Sequence, residues 1–193
     1  TYNLVGTGTP TQLRDRIMMS LVWSEEFYRN QAASFLLKLL IGLCHLRDKC
    51  SRSFDLALIL KALGSRDFIE ELCLAIPEGA RREREIMEGL VQFARNADNW
   101  ASLQGLRVQL ESIVLSEFGD HLLESENDID LFRAVTEGKL IFLFLDTRRY
   151  GETAQAIGKF VLQDLKSTSA RIDADVPKNE RRAFTVCIDE FAD

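Results

Sequence analysis

From Ser24 onward the chain repeats apolar residues at three- and four-residue steps: Tyr28, Ala32, Phe35, Leu36, Leu39, Leu40, Leu43 and Leu46. Only an α-helix puts all of these on one face, so the stretch predicts a helix of about 23 residues, roughly 35 Å long, capped by Ser24. A stripe of that length must be covered by other elements. The flanking sequence supplies helices to do it.

Upstream, Thr9-Pro10-Thr11-Gln12 has the spacing of a capping box with proline in the first turn, which starts a helix at Pro10 with Leu13, Ile17 and Leu21 inward. Downstream, residues 54 to 63 end at Gly64, Ser65 caps 66 to 76, and Pro77 stops that helix. Residues 80 to 97 carry Ile86, Leu90, Phe93 and Ala97 on one side. A further helix starts at Asp98 or Asn99, turns Trp100, Leu103, Leu106, Leu110, Ile113 and Val114 inward, and ends at Gly119. A short helix near 128 to 137 closes at Gly138. Trp23, Tyr28 and Trp100 lie within apolar faces and read as core.

At Gly138 the period changes. GKLIFLFLD, residues 138 to 146, is a continuous apolar run too short for a buried helix, and it predicts a strand covered on both faces. After the loop TRRYG comes a helix from about 152 to 170, then a polar connection with Pro177, then a second buried strand over 183 to 189. Strand, helix, strand is a βαβ unit, and two strands make only part of a parallel sheet. The fold class is therefore mainly α, a multi-helix all-α domain inserted into an incomplete RecA-like α/β domain. Its divisions are a flanking segment 1–22, the helical domain 23–137 and the βαβ part 138–193.

Charge and composition narrow the partners. The net charge of −6 sets the surface as a whole against nucleic acid. Cys44, Cys50, Cys73 and Cys187 form no CxxC pair, which favours reduced thiols. His45 and His121 have no second ligand at metal spacing and read as surface or boundary residues. No apolar run approaches the roughly 20 residues that span a bilayer, and the first residues lack the regions of a signal peptide.

The chemistry concentrates in the last residues. FTVCI runs into Asp189 and Glu190, the Walker B pattern of nucleotide-hydrolysing enzymes. There the Asp holds Mg²⁺ and the Glu polarises the water that attacks the γ-phosphate. LIFLFLD ends the same way at Asp146, but Thr147 follows, so that copy reads as a strand end. A phosphate-cradling GxxxxGK[ST] loop is missing, and GTG at residues 6 to 8 reads as a loop before a capped helix.

The extended YN, the helix with LRDRIMMSLVWSEEFYRNQA, the segment SLQGLRVQLESIVLSEFGDHLL, the strand GKLIFLFLD, the helix with IGKFVLQDLK and the terminal CIDEF occur in a characteristic order. Together they resemble the type IV secretion coupling proteins, the TraD/TraG-like conjugative ATPases, which are similar in plan to FtsK-like DNA motors. The resemblance spans essentially the whole chain. It implies an all-α domain inserted into a RecA-like ATPase domain, with Asp189 as the Mg²⁺ acid, Glu190 as the water-activating acid, and no counterpart of the phosphate-binding lysine. The chain then reads as a piece ending just after Walker B, inactive alone. The intact parent would use ATP and Mg²⁺ as a homohexameric DNA translocase at the cytoplasmic face of the bacterial inner membrane, beside a secretion channel.

Between Glu25 and Asp130 there are 12 Lys and Arg against 19 Asp and Glu, a net of −7. That sign favours relaxosome, relaxase or other substrate proteins as partners of the helical domain, with weak, salt-sensitive DNA contact at most. Arg148 and Arg149, past the first strand, are candidates for contact with DNA or a neighbouring subunit, since forked guanidinium groups suit phosphate. ARRERE, residues 80 to 85, reads as a solvated helix face with local ion pairs, and Arg47, Lys49 and Arg52 as a second small basic cluster in a loop; neither decides for DNA. The competing reading is a freestanding helical adaptor whose Asp-Glu pair is incidental.

Overall fold

The computed structural model describes residues 1–122 and 128–188. Asp189 and Glu190 lie outside the described residues.

The first helix, α1 (Pro10–Ser20), starts where local chemistry demands. The Gln12 amide donates to Thr9 Oγ1 at 3.3 Å and the Thr9 amide to Gln12 Oε1 at 2.9 Å, a reciprocal capping box. The loop before it needs Gly8, whose φ of 127° suits only glycine. Arg47 holds this loop from the next helix, donating to the carbonyls of Gly6 and Gly8 at 3.2 and 2.9 Å. One member of the second basic group is thus structural.

The long stripe forms α2 (Glu26–Cys50), a 25-residue helix that buries Ala32, Phe35, Leu36, Leu39, Leu40, Leu43, Cys44 and Leu46. It is capped from Glu25 rather than Ser24, and the Glu25 side chain makes no capping bond. Then follow α3 (Leu56–Gly64), started by the Asp55 carboxylate, and α4 (Arg66–Ala75), started by the Ser65 hydroxyl. After Pro77 come α5 (Arg81–Arg95), α6 (Ala97–Ala101) and α7 (Gln104–Val114). The last three are α8 (Gly119–Leu122), α9 (Leu131–Glu137) and α10 (Thr147–Asp175).

These helices share one core running from Tyr2 to Val161. α1 packs on α2 and α10, α5 on α2 and α4, α3 on α7, and both α7 and α9 on α10. α2 and α5 come so close at Gly42 that a Cβ there would stand 2.6 Å from Met87 Sδ, so any larger residue must push the Met87 side chain aside. All four cysteines are free, and burial pushes the Cys44 thiol up to about 11. Among the described residues, no helix is long and apolar enough to cross a membrane.

Three expectations for the helices are corrected. The helix read as continuous from 98 to 119 is broken into α6, α7 and α8: Asn96 rather than Asp98 caps the first, its Oδ1 accepting from the Asn99 amide at 3.0 Å, and Gly119 opens α8 instead of ending α7. The segment TRRYG is a loop only at its end: residues 147–150 form a helical turn capped by Asp146, the backbone leaves the helix at Gly151 (φ 47°, ψ −120°), and the long stretch of α10 begins after it, near 152 as expected. Tyr28 is 43% exposed, because the buried stripe of α2 begins only at Ala32.

The largest correction concerns the βαβ unit. Among the described residues there is no strand. Gly138 ends α9 with a φ of 71°, and residues 139–146 then run without regular structure, Leu140, Phe142 and Phe144 being 92%, 87% and 81% exposed. The RecA-like strand read over 183 to 189 is likewise irregular through 188, with Phe184, Val186 and Ile188 partly exposed. The reason is physical: a strand exists through the ladder of a neighbour, and no described segment offers either run an edge to pair with. Ile141 and Leu145 are the residues of the first run that reach the helical core.

Candidate functional site

Two helices carry a charge on the stripe that should be apolar. In α1 Arg16 lies beside Leu13 and Ile17, and in α10 Asp164 lies one turn beyond Phe160 and Val161. The two side chains are 1% and 5% exposed and form an ion pair, Arg16 Nη2 against Asp164 Oδ1. The hydroxyl of Tyr2 donates to Asp164 Oδ2 at 2.6 Å, and Arg16 Nη1 donates to the Leu4 carbonyl at 2.8 Å. Arg16 Nε has no acceptor among the described residues. The N-terminal segment, α1 and α10 are therefore tied at one buried point.

Burial pushes both the Asp164 carboxyl and the Tyr2 phenol up and the Arg16 guanidinium down. For Asp164 the Arg16 charge and the Tyr2 hydroxyl oppose that rise, while for Tyr2 the neighbouring carboxylate adds to it. The network is closed to reactants. A neighbouring cavity of about 330 Å³ is lined by Tyr2, Phe118, Leu143, Leu145 and Ile157 among others, but by neither Arg16 nor Asp164. The triad is a clamp that positions α10, the helix leading toward residues 189 and 190.

The clamp has a pH signature. With Tyr2 raised in the folded chain, the unfolded chain loses this proton first, above about pH 10. The unfolded state then binds fewer protons, so stability falls as pH rises, by up to about 1.4 kcal/mol per pH unit from this group. Below about pH 10 the contribution is fully present. In Tyr2→Phe the unfolding free energy falls less between pH 9 and pH 11, by up to about 1.4 kcal/mol over the whole interval, read from urea titrations at those two pH values; equal falls in the two proteins would contradict the buried phenol.

The residues singled out from sequence are not gathered into one site. Arg148 and Arg149 are both exposed on the first turn of α10. The Arg149 guanidinium lies 5.2 Å over the Tyr150 ring, which itself packs edge-on to Phe118 at 4.8 Å. Asp146 spends its carboxylate on the helix start, accepting from the Arg149 amide at 3.1 Å. Among the described residues, no group of three or more His, Cys, Asp or Glu side chains could hold a metal ion. In the ARRERE segment Arg84 pairs with Glu88 at 3.6 Å, while Arg81 and Arg82 are exposed.

Sequence reasoning missed the Tyr2, Arg16, Asp164 triad. The signal was present: an arginine and an aspartate on core positions of two amphipathic helices are rarely buried unless paired. Which charge met which was not readable, since the partners are far apart in the chain. No family model, no curated protein and no solved structure matches this chain.

Proposed function

We propose that the chain is part of an ATP-driven DNA translocase of the type IV secretion coupling kind, with the helical body serving to recognise relaxosome or other substrate proteins. The observation that carries this reading is the apolar run into Asp189 and Glu190, together with a second apolar run over 140–145 on the other side of α10. Phe142, Phe144, Val186 and Ile188 emerge from a closed helical core into solvent. Side chains of that kind are suited to a sheet supplied from elsewhere.

In the intact motor Asp189 would bind Mg²⁺ and Glu190 would activate the attacking water, with ATP held by a phosphate loop outside this sequence. Arg148 and Arg149 would face DNA or the next subunit of a hexamer at the cytoplasmic face of the inner membrane. The negative helical region favours protein partners over DNA.

The test is nucleotide binding and hydrolysis by a chain extended toward its N-terminus. Glu190→Gln in that protein retains ATP binding and lowers turnover about 100-fold, the ordinary worth of a positioned base. Turnover indifferent to the substitution removes Glu190 from this role. The alternative, a freestanding helical adaptor, draws on the single core shared by all the long helices. It predicts no nucleotide binding in the extended chain.

A further inference from the structure

The turn between α1 and α2 opens a second cleft, of about 300 Å³, against α6 and α7. Its walls include Val22, Trp23, Tyr28, Gly105 and Gln109, and Glu25 is the one charged residue lining it. The walls are held in place before any ligand arrives. The Gln109 carboxamide brackets the turn, accepting from the Val22 amide at 2.8 Å and donating to the Val22 carbonyl at 2.9 Å. The Trp23 indole donates to the Met18 carbonyl at 3.0 Å, which fixes the ring.

What the cleft presents is unspent. Of its walls, Val22 and Tyr28 are 71% and 43% exposed, and Phe27, outside the cleft, meets the Tyr28 ring edge-on at 5.4 Å. Glu25 stands at the capping position of α2 without a capping bond, and its carboxylate has no ion-pair partner among the described residues. A cleft that sets Val22, Trp23 and Tyr28 among the neutral polar Ser24, Ser102 and Gln104, with the Glu25 carboxylate on its wall and in a region of net charge −7, complements a ligand that joins an apolar group to a cation. The volume suits one large side chain with its neighbours rather than a whole folded surface.

We infer that this cleft docks a basic peptide segment of a protein partner, one apolar side chain entering between Trp23 and Gly105 and an adjacent Lys or Arg pairing with Glu25 beside Tyr28. The inference rests on the protein-recognition half of the function proposed above and is independent of its nucleotide chemistry. Nucleotide turnover in the extended chain tests that chemistry separately, so failure of one leaves the other standing.

The experiment uses fluorescein-labelled eight-residue peptides with a central Leu-Phe pair flanked by Lys and Arg, and matched peptides with Glu at the flanks, titrated with the full chain. The basic peptide binds and the acidic one does not. Glu25→Lys weakens the basic peptide about threefold to tenfold, the range of an exposed ion pair turned repulsive. Gly105→Leu is the second variant: Gly105 lines the cleft and a Cβ there meets nothing within 4 Å, so a side chain can be added to this wall without a clash at its first atom. It keeps its unfolding midpoint and loses the peptide. The proposal is overturned if the basic peptide does not bind, if it binds both variants as it binds the parent, or if the acidic peptide binds better, which would assign the site to the uncapped amides of α2. Self-association of the chain abolished by Gly105→Leu would give the cleft to a second copy and overturn it equally.

Discussion

Asp164→Ala loses about 3–5 kcal/mol of unfolding free energy, the cost of stranding a buried charge. The carboxylate is 5% exposed and answers two groups at once, the Arg16 guanidinium and the Tyr2 hydroxyl. Removing it leaves Arg16, 1% exposed, with the Leu4 carbonyl as its remaining acceptor. The variant shows a urea midpoint shifted far down at unchanged slope. Replacing all three groups together, Tyr2→Phe with Arg16→Met and Asp164→Leu, restores most of the loss, because apolar residues of similar size carry no desolvation penalty. A single-variant loss below about 1 kcal/mol would mean that water reaches the pair.

Phe35→Ala is the second large effect, a loss of about 3–5 kcal/mol. Phe35 is 1% exposed at the middle of the buried face of α2, with ring centroids 6.1 Å from Phe93 and 6.5 Å from Trp100. Its removal opens a void where α2, α5 and α6 meet, which the surrounding close-packed side chains refill only in part. Phe144→Ala is the contrast. That residue sits in the most apolar run of the sequence, yet it is 81% exposed, so the substitution changes stability by no more than about 0.5 kcal/mol. Parallel urea titrations compare the two. A large loss in Phe144→Ala would show that the run is covered in solution.

Much of the helical body was readable before any coordinates, and for a definite reason. The capping box at Thr9, the Ser65 cap and the Gly138 terminator act within one turn of the chain, so residue identity alone carries their meaning. The division of 97–114 into α6 and α7 was not readable, since Asp98 and Asn99 make as plausible a cap as the Asn96 that the chain uses. The supposed strands failed differently. Hydrophobicity over 140–145 states that the run favours burial, but burial needs a surface, and the described part of the chain does not supply one. For the proposed acids, Asp189 and Glu190, the motif is legible and its placement lies outside the described residues.

Local rules of capping and periodicity wrote the helices, their approximate ends and the identity of the core stripe from Ala32 to Leu46, because each depends on neighbours three or four positions away. Long-range packing chose everything that joins distant positions. It brought Tyr2 to Asp164, 162 residues apart, and set Tyr28 beside an open cleft rather than in the core. Those outcomes depend on how several helices share one volume, a property that no window of sequence contains.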